Sequence, residues 1–335
     1  MRIGPTSGTL VAGLDVGGTK TFGVVAGLTG SIVASARRPT STGSGEAVLA
    51  STLAVLQDLA DELAMPIDGF DAVGVGIPGL VDVERGTVRH AVNLGLGAEP
   101  LELAERLGEK VAAPVQVDND VNVASVGAAA TVGCSDIVYL SIGTGIAAGL
   151  LLGGRLRRGG RNAAGEVGHV SVDPEGPLCH CGQRGCLEML ASGPALLRRW
   201  PAGAGAPSVA AALLDAAAAG DREAIEVRDS VAGHLADAVI RLALTVDPDM
   251  VVLGGGVAEA GPGLLEAIVN ALVERGEAAP VLAAMGLADR VTVVPCGVPV
   301  GALGAALAAR KHVIRRLDAI GAGAGTVPFE ALEAM

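Results

Sequence analysis

At 335 residues the chain is longer than one ordinary domain, so two domains of roughly 100 to 200 residues each are expected. Half of it is AVILMFWYC while aromatics are 1%, leaving Ala, Val, Leu and Ile to fill the core, a composition suited to closely approaching helices and buried parallel strands. A formal net charge of −12 argues against nucleic acid or an anionic membrane as the main partner, since either demands a basic face, and small molecules are the expected ligands.

No uninterrupted apolar stretch of about 18 residues occurs. The first residues, "MRIGPTSGTLVAGLD", lack the charged region, apolar run and small-residue cleavage site of a secretory signal. The expected location is the cytoplasm, where clustered cysteines more often bind metal or do chemistry than form disulfides.

"LVAGLDV" (10–16) reads as an apolar strand, "GGTK" as a turn and "TFGVVAGL" as a second strand. A Rossmann or P-loop glycine turn has to open a helix, and nothing after Lys20 has helical period. Residues 44–65 carry apolar residues at helical spacing behind Ser44, a candidate cap. "FDAVGVGIPGLVD" is a buried strand ended by Pro78 and Gly79, and "PLELAERLGEKV" an amphipathic helix. "PVQVDNDVNVASVGAAATVG" runs from a short strand into a helix, with Asp118, Asn119 and Asp120 at the junction.

The opening motif then returns. "LDVGGTKTFGVVAGL" (14–28) and "LSIGTGIAAGLLLGG" (140–154) superpose without a gap at an offset of 126, each a strand, a Gly/Thr turn and a strand. Beyond the cysteine cluster, "WPAGAGAP" (200–207) is a loop and a long helix runs to Pro248. "DMVVLGGGVAEAG" is a strand delivering Gly254, Gly255 and Gly256. A helix at 263–275, the strand "RVTVVPC" and an alanine-rich helix from about 300 to 317 follow, and the tail "GAGAGTVPFEALEAM" is expected to be loosely held.

A Gly/Thr turn lets backbone N–H groups approach an anion, and the Thr hydroxyl adds a donor. Asp15, at the end of the first strand, is placed to hold Mg²⁺ or its water, and Lys20 to neutralise phosphate charge. Alone, either turn is equally an ordinary hairpin; two of them together with Gly254–Gly256 point to nucleotide binding. Phosphoryl transfer further needs a carboxylate to accept the proton of the attacking hydroxyl. Asp120 is the candidate, its competing use being an N-cap; Asp118 is the weaker one, as a strand-end carboxylate can simply face solvent.

Cys179, Cys181 and Cys186 supply three soft ligands to a four-coordinate structural zinc. His180 is awkwardly placed between two of them, and His169 is the better fourth ligand. A Cys-x-Cys disulfide would be strained and leave an odd thiol. With four protein ligands the zinc cannot activate water, so its expected role is structural. Glu166 and Glu188 flank the loop, either as acceptors for sugar hydroxyls or as solvent-facing side chains.

Together these residues resemble the ROK family of sugar kinases and sugar-responsive repressors, in particular its bacterial glucokinase-like members, from about residue 10 to 315. "LDVGGTKT" looks like its first phosphate motif, "IPGLVD" its connecting strand, "DNDVN" its catalytic Asn-Asp, and "LSIGTGIAAGL" its second phosphate motif. "GEVGHVSV" with "CHCGQRGCLE" matches its sugar-and-zinc signature, the most specific of the set, and "VLGGGV" its adenosine loop.

The resemblance implies an α/β fold of the two-lobed, actin-like and ribonuclease H-like ATPase kind, with a zinc-binding loop in the second lobe and a cleft that closes. The lobes are expected at 1–118 (plus about 311–335) and 119–310. It implies phosphorylation of a hexose, first of all glucose, at the 6-hydroxyl by ATP and Mg²⁺, with Asp120 as general base. Gly79, Asn93, Asn119, Asp120, Glu166, His169 and Glu188 would contact sugar. Asp15, Gly17, Gly18, Thr19, Lys20, Gly143, Thr144, Gly145 and Gly254–Gly256 would hold nucleotide, and His169, Cys179, Cys181 and Cys186 zinc.

A homodimer or homotetramer is implied too. Two departures stand out: Asp118 where the family usually has Glu, and Leu96 in "NLGLG" where many members carry Trp. Rival readings are a kinase for fructose, mannose, allose or an N-acetylhexosamine, a polyphosphate-dependent kinase, and a sugar-sensing regulator. The regulators carry a DNA-binding segment of several dozen residues where about nine residues precede the first strand here.

Overall fold

The computed structural model describes residues 8–321, with side chains to residue 315. The tail expected to be loosely held lies, beyond Gly321, outside the described residues. Two compact units, residues 1–133 with 299–335 and residues 134–298, divide the chain.

The first unit is built on a five-stranded sheet. β1 (Val11–Val16) and β2 (Lys20–Ala26) form the expected hairpin, antiparallel, with Val16 paired to Thr21. β3 (Ile32–Pro39) extends β2, and α1 (Gly45–Glu62) follows, its N-cap Ser44 accepting from the Ala47 N–H at 3.2 Å. β4 (Ala72–Ile77) is buried at every position and runs parallel to β1, as expected of a strand covered on both faces. A small hairpin of β5 (Leu80–Asp82) and β6 (Thr87–Arg89), then α2 (Leu103–Val111), lead to β7 (Val115–Asn119) and α3 (Asp120–Val132). The sheet order is β3-β2-β1-β4-β7.

The second unit repeats this plan. β8 (Ile137–Ile142) and β9 (Ile146–Leu152) lie 126 residues after β1 and β2 at both ends of each strand, so the sequence repeat is a repeat of structure. After β10 (Arg155–Leu156) the chain enters the cysteine loop, then α4 (Leu187–Ala191), α5 (Gly193–Arg199), α6 (Val209–Ala218) and α7 (Arg222–Val246). β11 (Met250–Gly254), α8 (Pro262–Ala278), α9 (Pro280–Met285) and β12 (Val291–Val293) complete it, in the order β10-β9-β8-β11-β12. Leu140 and Ile142 of β8 meet Leu235 and Val239 of α7 and Ile268 of α8 in its core.

The chain returns to the first unit as α10 (Val300–Gly321). Here the small-residue composition has its clearest effect. A Cβ at Gly74 of β4 would lie 1.9 Å from the Ala305 carbonyl oxygen, and one at Gly304 would lie 1.8 Å from that of Val123 in α3. Backbone rests on backbone at both contacts, which only glycine allows. This packing moves the expected boundaries: α3 and the start of α10 belong to the first unit, which takes in 119–133 and 299–310 as well as 1–118.

Candidate active site and metal centre

In the first unit the β1–β2 turn is closed by the Gly17 N–H, which donates to the Lys20 carbonyl at 3.0 Å, with Thr19 and Lys20 exposed. Asp15 is the one half-buried position of β1. Burial, reinforced by the charge of Asp120 and opposed by Lys20, pushes its carboxyl up to about 6. The start of α10 comes close as well: a Cβ at Gly301 would lie 2.7 Å from Asp15 Oδ2. Gly18 rests on Asn93, where a Cβ would meet the Asn93 Cβ and carbonyl oxygen at 3.0 Å. Gly79 turns the chain out of β4 with φ +110°, against Ala91. The first unit thus brings the first glycine turn to Asn93 and Asp15 to Asp120, while Gly79 packs on Arg89 and Ala91. Leu96 is 7% exposed and packs in the core of this unit.

At the β7–α3 junction the cap is Asn119, whose Oδ1 accepts from the backbone N–H groups of Val121 (3.0 Å) and Asn122 (3.3 Å). Asp120 is therefore the first helical residue rather than the cap, its Oδ1 accepting from the Val121 N–H at 3.0 Å. Asp118 does not face solvent. It is 1% exposed and accepts from the Asn119 N–H at 2.8 Å and from Asn122 Nδ2 at 3.2 Å, because β7 continues to its last residue in the sheet, under the helix it feeds. Asn122, three residues after the cap, joins this junction through its side chain, a contact that the sequence alone does not single out.

In the second unit the turn Gly143–Thr144–Gly145 is held from three sides. The Gly143 N–H donates to the Gly145 carbonyl (2.9 Å), the Gly193 N–H to the Gly143 carbonyl (2.8 Å), and the Ile146 N–H to Glu188 Oε2 (3.1 Å). A Cβ at Gly145 would lie 2.6 Å from that carboxylate oxygen, so a larger residue there would displace the Glu188 carboxylate. The loop of Gly254, Gly255 and Gly256 sits beside this turn: Gly255 adopts φ +86° with its Cα against the Ile142 carbonyl, and Val257 donates to that carbonyl at 2.9 Å.

His169, Cys179, Cys181 and Cys186 place their ligand atoms within 4.8 Å of one another. Cys179 Sγ lies 3.7 Å from His169 Nδ1, and Cys181 Sγ lies 3.6 Å from Cys186 Sγ. A tetrahedral zinc with bonds of about 2.3 Å to sulfur has ligand-to-ligand edges of about 3.8 Å, so these spacings fit the ion. They are far too long for a disulfide, and all three cysteines are free. His180 is exposed and outside the group. Left-handed φ angles at Gly182 (+93°) and Gly185 (+61°) make the two turns that gather the sulfurs. Hydrogen bonds from Gln183 bring the Cys181 thiol down to about 6, while burial, followed by the neighbouring cysteines, pushes Cys186 up to about 12. Cys186 also opens α4, the helix that carries Glu188 in its first turn. Glu166 is exposed and accepts the His169 N–H on its carbonyl at 3.1 Å, one helical turn upstream.

The ROK family sequence profile matches residues 11–312. The chain belongs to the ROK family. Among its relatives, the glucokinase of Thermotoga maritima is 38% identical over 272 residues, covering 74% of this chain and 82% of that protein. The glucokinase of Halalkalibacterium halodurans is 34% identical over 281 residues, covering 76% and 83%. The structure of a ROK family glucokinase from Streptomyces griseus, solved with glucose and AMPPNP, superposes with a TM-score of 0.73 at 31% identity, covering 90% of this chain and 99% of that one. The expected α/β class and ROK membership are both borne out by this chain's fold. Among the described residues no helix is long and apolar enough to cross a membrane.

Proposed function

We propose that this ROK protein is an ATP-dependent glucokinase that phosphorylates the 6-hydroxyl of glucose. The observation that carries the reading is the placement of Asp120: Asn119 takes the cap, leaving the Asp120 carboxylate at the start of α3 and in electrostatic contact with Asp15 beside the first glycine turn. Similarity to glucokinases over three quarters of the chain supports the choice of sugar and donor.

In this reading the sugar 6-oxygen attacks the γ-phosphorus, its proton passes to Asp120, and ADP leaves. Gly79, Asn93, Asn119, Glu166, His169 and Glu188 are the candidates for binding sugar hydroxyls. Gly17 to Lys20 and Gly143 to Gly145 hold phosphates with backbone N–H groups, and Gly254 to Gly256 the adenosine. Asp15 would hold Mg²⁺, which supplies charge neutralisation on the phosphates. His169, Cys179, Cys181 and Cys186 would hold zinc, which would supply a structural cross-link to the loop; the His169 Nδ1 faces Cys179 Sγ at 3.7 Å, which leaves Nε2 as the nitrogen for substrate. The reading places the protein in the cytoplasm, whose reducing conditions suit thiolate ligands, as a homodimer or homotetramer.

A coupled assay of ADP formation across glucose, mannose, fructose, allose and N-acetylated hexosamines, with ATP and with polyphosphate, tests it. Glucose with ATP should give the highest kcat/KM. A higher value for another sugar, or for polyphosphate, would replace the assignment.

A further inference from the structure

The β7–α3 junction contains a buried carboxylate to which the chemistry above gives no task. Asp118 is 1% exposed, and a carboxylate withdrawn from water is costly unless its oxygens accept hydrogen bonds. Three of the bonds at this junction form a closed ring. Asp118 Oδ1 accepts from the Asn119 N–H at 2.8 Å, Asn119 Oδ1 accepts from the Asn122 N–H at 3.3 Å, and Asn122 Nδ2 donates back to Asp118 Oδ1 at 3.2 Å. Asn122 is itself only 8% exposed. The ring joins residues 118, 119 and 122, and Asp120 lies between its members in the chain.

We propose that Asp118 is a positioning residue for the reaction: with Asn122 it locks the strand-to-helix junction so that the Asp120 carboxylate and the Asn119 amide keep one direction. The inference rests on the kinase reading above. The Asn119 cap by itself holds the junction only from the helix side, by bonds to N–H groups of the first turn. Asp118 anchors the same residues to the end of β7, a strand hydrogen-bonded in the sheet to β4. A general base must stay within hydrogen-bond reach of its proton, and a misplacement of about 1 Å can cost on the order of 100-fold in rate. Asp118 touches neither substrate in this account; it acts through Asn119, Asp120 and Asn122.

The test compares wild type with Asp118→Ala, which loses the acceptor, and Asp118→Asn, which keeps Oδ1. kcat is measured per folded molecule, with KM for glucose and for ATP determined separately. The expected result is a fall in kcat of roughly 10- to 100-fold for D118A, an ATP KM within about twofold of wild type, and recovery of most of kcat in D118N. If D118A fails to fold, Asn122→Ala removes the Nδ2 donor with the carboxylate in place and should show the same split. A D118A or N122A enzyme that loses thermal stability but keeps its kcat per folded molecule overturns the proposal, as does a D118N no better than D118A. Wild-type turnover is the control that separates the two levels: an inactive wild type overturns the kinase reading and this inference with it, whereas an active wild type matched by D118A overturns the inference alone.

Discussion

Glu188 Oε2 accepts the Ile146 N–H at 3.1 Å, so the acidic residue two positions after the last cysteine of the metal loop holds the second glycine turn. The sequence left Glu188 either as an acceptor for sugar hydroxyls or as a solvent-facing side chain. Under the proposed function, where the turn would hold phosphate, its bond to the turn gives the loop a second line of influence. Glu188→Ala should raise KM for both glucose and ATP, each by roughly tenfold, the scale of losing one charge-assisted hydrogen bond. Glu188→Gln can still accept from Ile146 and should recover ATP more than glucose. Steady-state kinetics with each substrate varied in turn would show it.

The four-ligand group predicts one zinc per chain by elemental analysis of the purified protein. Cys186 is buried and opens α4, so Cys186→Ser should lose the metal and lower the melting temperature. Glucose affinity should fall with it, since His169 loses the ion that fixes its ring. His180→Ala, an exposed change outside the group, should keep both metal and affinity.

Asp15 predicts a definite pH dependence. Its carboxyl titrates near 6 in the folded chain, against an ordinary value of 3.8. The folded state therefore binds its proton more tightly than the unfolded state, and this group's contribution to stability declines as pH rises from about 4 to about 6, then stays level. Asp15→Asn removes that cost and should raise the melting temperature at pH 8 but not at pH 4. Cation binding needs the ionised form, so affinity for Mg²⁺-ATP in the wild type should weaken below about pH 6, and in Asp15→Asn it should be low at every pH. Melting curves and calorimetric titrations at the two pH values check both parts.

Much of the site was legible because it is local. The glycine turns, the cysteine spacing with its missing fourth ligand, and the Asp118–Asn119–Asp120 junction each lie within a few residues of one another, and chemistry limits what such clusters do. The repeat at offset 126 was legible because each copy places a Gly/Thr turn between two apolar strands at the same spacing. What escaped depends on contacts distant in sequence. Gly304 reaches α3 only after the whole second unit has intervened, so nothing local placed 119–133 with the first sheet. Glu188 and Ile146 are 42 residues apart. Asp118 looked like a strand-end side chain free to face water, and only its burial shows that it is part of the junction. The helix α6, "VAAALLDAAA", leaves no clear periodic signal in the sequence because an alanine run offers no contrast between faces.

The most direct test of the account is Asp120→Asn, assayed for turnover and for glucose binding on the same sample. Removing a general base costs on the order of 100- to 10,000-fold, so kcat should fall by at least about 100-fold while calorimetry finds glucose bound within a fewfold of wild-type affinity. An Asp120→Asn enzyme that retains more than about a tenth of wild-type turnover, a loss well below that range, would contradict the assignment of Asp120 as the base on which the account depends.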